Sequence, residues 1–342
     1  MLKLFVTGGA GFIGSTFVRL ALAENPSCRI INFDALTYAG NLDNLKDLDA
    51  GSRHHFIRGD IADRKAVHAA LDDGTDAIIN FAAESHVDRS INSAEEFIRT
   101  NVTGTQVLLD AARLRGVRRV VHISTDEVMG SLPEDDASYF TEDSPLRPNN
   151  PYAATKAAAE HLVRAAHHTH GLDAIITRCG NNYGPRQFPE KFIPLILANA
   201  LRDEPIPLYG DGRNMRDWIY VEDHARAILL ALTKGRAGET YHIGARNERR
   251  NLEVIESILK ATAKPLSLVR HVKDRPGHDR RYAIDPSKAE RELGWRPLET
   301  WESGLRKTIL WYGENVDWVE RARSGAYREF YARQYGMEVG AR

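Results

Sequence analysis

A short apolar strand runs straight into Gly8-Gly9-Ala10-Gly11-Phe12-Ile13-Gly14, and a helix-forming stretch follows. No other feature restricts the fold of this chain as much. Glycines at 8, 11 and 14 allow a tight turn, close approach of the main chain to a pyrophosphate, and close packing of helix on strand. A helix starting there turns its unpaired N–H groups and the positive end of its dipole toward the turn. The pattern predicts a dinucleotide seat built from Gly8, Gly11, Phe12, Ile13 and Gly14.

The first half of the chain keeps that rhythm. Residues 4–7, 29–33, 55–58, 77–81, 120–124 and 174–178 are short, apolar and rich in β-branched side chains. Their nearly continuous hydrophobicity predicts strands buried on both faces. Helical patterns occupy 13–23, 64–70, 95–115 and 152–168. This alternation predicts an α/β fold with a doubly wound parallel Rossmann sheet. A chain of 342 residues has room for that sheet and a smaller C-terminal substrate lobe. After residue 180 the text turns polar, and Pro189, Pro194, Pro205 and Pro207 punctuate it. The expected division is a Rossmann domain over 1–180 and a lobe over 181–325, with a strand at 240–244 returning to the main sheet.

Composition removes several classes. A formal net charge of -1 argues against a polyanion-binding surface. No apolar run is long enough to span a bilayer, and residues 2–6 are too short for a signal-peptide core. Cys28 and Cys179 are the only cysteines, so a disulfide scaffold is not expected, and a reducing, cytoplasmic setting is.

Asp34 ends the second strand, twenty residues after Gly14. A carboxylate there accepts hydrogen bonds from ribose hydroxyls and repels a 2′-phosphate, so NAD is favoured over NADP. Asp60 and Ile61, after the third strand, are placed for the adenine. Ala82 and Ala83, after the fourth, permit close cofactor contact.

Tyr152 and Lys156 stand four residues apart, on one face of a helix. An ammonium and a positive nicotinamide near Tyr152 would favour tyrosinate, a base for a sugar hydroxyl that loses hydride. Ser124, Thr125, Asp126 and Glu127 follow the fifth strand at the carboxyl edge of the sheet, where such folds bind ligands. Thr125 is placed to bond the reacting oxygen. Asp126 and Glu127 supply one acid and one base if their surroundings separate their pKa values. His167, His168 and His170 read as an exposed helix end, not a metal site.

The stretches 7–14, 36–41, 82–90, 124–128, 181–185, 216–224 and 275–282 resemble the extended short-chain dehydrogenase/reductase superfamily, and more closely the dTDP-glucose 4,6-dehydratases. The resemblance implies NAD-dependent dehydration of dTDP-glucose to a 4-keto-6-deoxy sugar. It implies Tyr152 as base at the C4 hydroxyl, assisted by Thr125 and Lys156. It implies Asp126 as the acid on the C6 oxygen and Glu127 as the base at C5. Thr37 joins the cofactor residues on the same ground. Ser85, His86, Asn181, Lys191, Arg216, Asn247, Arg275 and Tyr282 become sugar-nucleotide candidates. Met129 stands where the family usually has tyrosine. The superfamily also pairs helices matching 95–115 and 152–168 into a four-helix bundle, which implies a homodimer. A related nucleotide-sugar epimerase, or a 4,6-dehydratase for another nucleotide, would keep the glycine turn and the Tyr/Lys pair. The epimerase would not need the acid pair. A non-catalytic NAD-sensing module would need neither Tyr152 nor Lys156.

Overall fold

The computed structural model describes residues 2–48, 53–323, 332 and 335. The last two residues of the expected lobe, 324 and 325, lie outside the described residues. Six strands come in chain order: β1 (Lys3–Thr7), β2 (Arg29–Asp34), β3 (His54–Arg58), β4 (Ala77–Asn80), β5 (Arg119–Thr125) and β6 (Ala174–Cys179). Each expected strand is present, with its ends shifted by a single residue. Together with Thr240–Ile243 they form one parallel sheet, ordered Thr240–Ile243, β6, β5, β4, β1, β2, β3. The winding direction reverses between β1 and β4, so a crevice opens beyond their carboxyl ends.

Alternate side chains of each strand feed opposite faces. On one face, Leu4, Val6, Ile30, Ile79 and Val121 pack under Phe17 and Val18 of helix Phe12–Glu24 and under Ala225 and Ile228 of helix Val221–Lys234. On the other, Phe5, Ile78, Val120 and Ile176 meet Val67, Leu108 and Val163 from helices Arg64–Ala70, Thr105–Leu114 and Pro151–His170. Helix Val221–Lys234 lies beyond residue 180, yet its apolar stripe serves the sheet. It leads into Thr240–Ile243, which pairs with β6.

The second unit has its own core of Tyr183, Ile193, Ile196, Trp218, Ile255, Trp301 and Trp318. Its strands are Asn181–Tyr183, Met215–Tyr220 and Glu248–Arg250 in one sheet, and Ile206–Tyr209 with Val269–Val272 in another. Pro194 does not break structure. It sits in the first turn of helix Phe192–Ala200, where its missing N–H would have no partner within the helix. Trp295 departs from the other C-terminal tryptophans. It packs on Ile175 and Tyr241 of the main sheet and donates to the Asp223 carbonyl at 2.9 Å.

The pattern over 95–115 reads as one α-helix, but its turns widen over Ile98–Gly104. Asn101 lies in that wide stretch, a distortion common near functional sites. Its amide holds the Glu84 N–H at 2.9 Å and the Glu84 carbonyl at 3.0 Å, and donates to Thr155 Oγ1 at 2.9 Å. The exit of β4 is thereby tied to helix Pro151–His170.

Candidate active site

One cavity of about 330 Å³ lies along the carboxyl ends of the strands. At one end it is lined by Gly8, Gly11, Phe12, Ile13, Gly14, Asp34, Thr37, Asp60 and Ile61. Ala82 and Ala83 lie between. Thr125, Asp126, Glu127, Tyr152 and Lys156 line the other end, with Ser85, Asn181 and Lys191 beside them.

The glycine turn is fixed by space and by backbone angle. Gly8 has φ of +70°, and a Cβ there would come 2.6 Å from the Ala82 nitrogen. A Cβ on Gly14 would stand 2.2 Å from the Gly8 carbonyl oxygen, and one on Gly9 would strike the Asn32 side chain at 2.2 Å. The spacing alone did not single out Gly9. Gly11 is different: a Cβ would meet only the Gly8 oxygen, at 3.3 Å. A side chain there would need that oxygen to give by only a few tenths of an ångström, and the bare glycine leaves the cradle open toward the cavity. Asp34 is buried, accepting from the Ala10 N–H at 2.9 Å and the Leu36 N–H at 2.8 Å. Burial lifts its carboxyl above the ordinary value, while those two bonds oppose the shift. Asp60 accepts from the Ala62 N–H at 2.8 Å and pairs with Arg99. Arg99 also lines the cavity, and no sequence motif pointed to it. The open cradle, the helix start beyond it and the carboxylate of Asp34 fit an NAD molecule.

Helix Pro151–His170 begins where it does because Asn150 accepts from the Ala153 N–H at 2.9 Å and Pro151 presets the first helical φ. Gly171, with φ of 67°, ends it in a left-handed turn. This start brings Tyr152 and Lys156 under the end of β5. Lys156 Nζ donates to the Ile123 carbonyl at 2.6 Å. Asn150 also donates to Glu127 at 3.3 Å, so one side chain both caps the helix and orients an acid. It is a site residue that the sequence motifs missed, visible only as an asparagine before Pro151.

The two acids are not alike. Asp126 is 2% exposed. It accepts from Thr125 Oγ1 at 3.3 Å, and its Oδ2 has no hydrogen-bond partner. Burial, reinforced by the Glu127 charge, pushes its carboxyl well above the usual range. Burial also raises Glu127, but the Arg275 and Arg216 guanidiniums and the Asn150 amide pull it back. Tyr152 is buried between the acids and Lys156. Burial and then the Glu127 charge lift its hydroxyl well above the ordinary value, and the Thr125 hydroxyl opposes them. Burial brings Lys156 down to about 8.

The remaining candidates separate. Lys191 Nζ donates to the Ser85 carbonyl at 2.7 Å, and Asn181 Oδ1 is buried with no hydrogen-bond partner. His86 is buried away from the cavity lining, 3.8 Å from Glu190. Arg216 binds the Met215 carbonyl at 2.7 Å and the Asp279 carbonyl at 2.9 Å, and lies over the Tyr282 ring. Tyr282 donates to Asp279 at 2.5 Å. Arg275 pairs with Asp88 at 3.3 Å. Asn247 does not join the site. Its amide donates to the Trp218 carbonyl at 3.2 Å and accepts from Arg249 at 3.1 Å, locking the pairing of Glu248–Arg250 with Met215–Tyr220. Met129 is likewise no cavity residue. It packs with Val128, Ala157 and Ile284, its sulfur 3.7 Å from Arg178.

The GDP-mannose 4,6-dehydratase family model matches residues 5–308. A dTDP-glucose 4,6-dehydratase of Xanthomonas campestris is 50% identical, over 96% of this chain and 98% of that protein. One from Salmonella typhimurium is 48% identical, over 98% and 99%. Among solved structures, a dTDP-glucose 4,6-dehydratase of Streptomyces venezuelae with NAD bound superposes with a TM-score of 0.91 at 53% identity, covering 94% of this chain and all of that one.

Proposed function

The chain belongs to the GDP-mannose 4,6-dehydratase family and, within it, to the dTDP-glucose 4,6-dehydratases, and from that membership we propose how its residues convert dTDP-glucose to dTDP-4-keto-6-deoxyglucose. The carrying observation is the unequal acid pair beside Tyr152 and Lys156. The C6 hydroxyl of a hexose leaves poorly, and its C5 proton is not acidic until C4 is a ketone. Tyr152, assisted by Thr125, takes the C4 hydroxyl proton. Glu127, the less raised of the two acids, takes the C5 proton. Asp126, whose neutral form burial favours, donates to the departing C6 oxygen. Glu127 then returns its proton to C5. When bound, NAD would supply the hydride acceptor for C4, the hydride donor for C6 and a positive charge near Tyr152. Gly8, Gly11, Gly14 and Asp34 would hold it, with Phe12, Ile13, Thr37, Asp60, Ile61, Ala82 and Ala83 along its length.

Lys191, Arg216 and Arg275 are the cations assigned to the diphosphate, with Ser85, Asn181 and, through Arg216, Tyr282 around the sugar. An epimerase has no use for a protonated acid beside a carboxylate. Incubation of the NAD-loaded protein with dTDP-, UDP-, CDP- and GDP-glucose tests the reading. A 4-keto-6-deoxy product from dTDP-glucose first is expected. A C4-epimerised hexose, or faster turnover of another nucleotide, overturns it.

We assign the homodimer to the outer faces of helices Thr105–Leu114 and Pro151–His170. Ala153, Ala157 and Ala159 are buried within the subunit, so close approach of a second copy rests on Ala154, Ala158 and Ala165, with the exposed Ile98 and Leu114. Ala154→Glu should yield monomers in sedimentation, and an unchanged mass would reject that face. No helix among the described residues is long and apolar enough to cross a membrane. Two free, buried thiols agree with a cytoplasmic setting.

A further inference from the structure

In this reaction the hydride returns to the sugar, so the cofactor ends each cycle as it began and has no need to leave. The loop after Asp34 is built accordingly. Leu36 is held at a left-handed φ of 54°, its N–H bound by Asp34 at 2.8 Å. The far end is fixed by the Asn41 N–H on the Ala10 carbonyl at 3.1 Å, and Asn44 donates to the same oxygen at 2.9 Å. Between these anchors, Thr37, Ala39 and Gly40 line the cavity, but Tyr38 does not. Its ring turns across to the opposite wall. The Arg89 guanidinium lies 4.2 Å from the ring centroid, and Phe188 meets it edge-on at 5.9 Å. The hydroxyl is buried, and burial and then the nearby Glu190 charge lift it well above its ordinary value. Arg89 also binds Glu190, at 3.0 Å. Phe188 lines the cavity from the second unit. One side chain therefore joins the two walls of the cleft.

We infer that Tyr38, Arg89 and Glu190 form a clasp that retains NAD between turnovers. They act on release, not on the reacting atoms. The inference rests on the NAD assignment above, but its test does not use the sugar nucleotide.

The protein is loaded with radiolabelled NAD and freed of excess, and label loss is followed in unlabelled NAD. Tyr38→Ala and Arg89→Ala should release label about tenfold faster or more, as expected when a cation–aromatic contact is lost and its effect falls on the off-rate. Tyr38→Phe keeps the stacking and loses only the hydroxyl, so it should fall between parent and Tyr38→Ala. On dilution, Tyr38→Ala should lose activity with time and regain it when NAD is added. Release from Tyr38→Ala within twofold of the parent overturns the clasp. If Tyr38→Ala does not fold, the order parent, Tyr38→Phe, Arg89→Lys decides, and equal rates across the three overturn it. A parent that holds label but makes no 4-keto product would instead reject the dehydratase reading and leave the clasp standing.

Discussion

At the glycine end of the cleft, three missing Cβ atoms set the shape; at the sugar end, burial and charge do. Gly8, Gly9 and Gly14 are required by contacts of 2.2–2.6 Å that any side chain would make. Asp126, Glu127, Tyr152 and Lys156 could each be replaced by an isostere without a clash. What would change there is where protons reside. The first region answers to steric change and the second to electrostatic change. If the division is right, isosteric substitutions at the sugar end should leave NAD binding intact, and small steric ones at the glycine end should not.

The largest effect expected is on turnover. The double variant Asp126→Asn, Glu127→Gln removes both proton carriers and should lower kcat by about 10²–10⁴-fold or more, the range for positioned acids and bases. Oxidation at C4 remains open to it. Mixing with dTDP-glucose should therefore show reduced nicotinamide by absorbance but no 4-keto-6-deoxy product. Tyr152→Phe should show neither. Normal turnover by the double variant would end the acid–base assignment.

Gly14→Ala comes next. Its Cβ would overlap the Gly8 carbonyl at 2.2 Å, and the obstacle is main chain that cannot swing aside. Overpacking of this kind costs about 1–3 kcal/mol, and here the turn that moves is also the cofactor seat. Lower melting temperature and loss of bound NAD should appear together. Gly11→Ala provides the contrast. With only a 3.3 Å contact to relieve, it should melt near the parent and still bind NAD more weakly. Equal NAD affinity in Gly11→Ala and the parent would show that Gly11 does not face the cofactor.

The same division explains what could be read from the sequence. The glycine turn, β1 and the start of helix Phe12–Glu24 lie in one continuous stretch, so local spacing reveals them. The acids and the Tyr/Lys pair were visible because each follows a buried strand or opens a helix. Asn150 was not, because its role at Glu127 depends on two chain segments meeting. Asn247 looked like a ligand residue, yet its amide is used to hold two strands together. The prolines after residue 180 marked a change of rhythm without saying what each occupies: Pro194 fits a first helical turn and Pro207 lies in a strand. Helix Val221–Lys234 carries an apolar stripe that does not say which unit it will cover.

Arg275→Ala separates binding from chemistry within the sugar end. Arg275 lies on a segment of the second unit and pairs with Asp88, while its charge opposes the rise of Glu127. Loss of a guanidinium from a diphosphate should raise KM for dTDP-glucose by about 10–100-fold. The pH profile should shift as well: without that charge the Glu127 carboxyl rises further, so the acid limb of kcat moves to higher pH. A raised KM with an unmoved acid limb would keep Arg275 in binding and remove its influence on Glu127.

The smallest effect expected is on stability, and its sign is opposite to that on activity. Burial holds the Asp126 carboxyl well above its ordinary value of 3.8. A carboxyl raised in the folded state favours folding below its unfolded pKa, and that contribution is lost as pH climbs through the folded value. At neutral pH Asp126 therefore burdens the fold. Asparagine has the same shape, can still accept from Thr125, and does not ionise. Asp126→Asn should be more stable than the parent at pH 7 by about 1–2 kcal/mol, a rise of a few degrees in melting temperature, with both proteins in the same NAD state. The difference should shrink as pH falls and close below 3.8, where the carboxyl becomes neutral in the unfolded chain as well as in the folded one. Melting curves that coincide at pH 7, or that diverge further in acid, would place Asp126 in a solvated, ordinary environment. It would then have no proton to give a leaving hydroxyl.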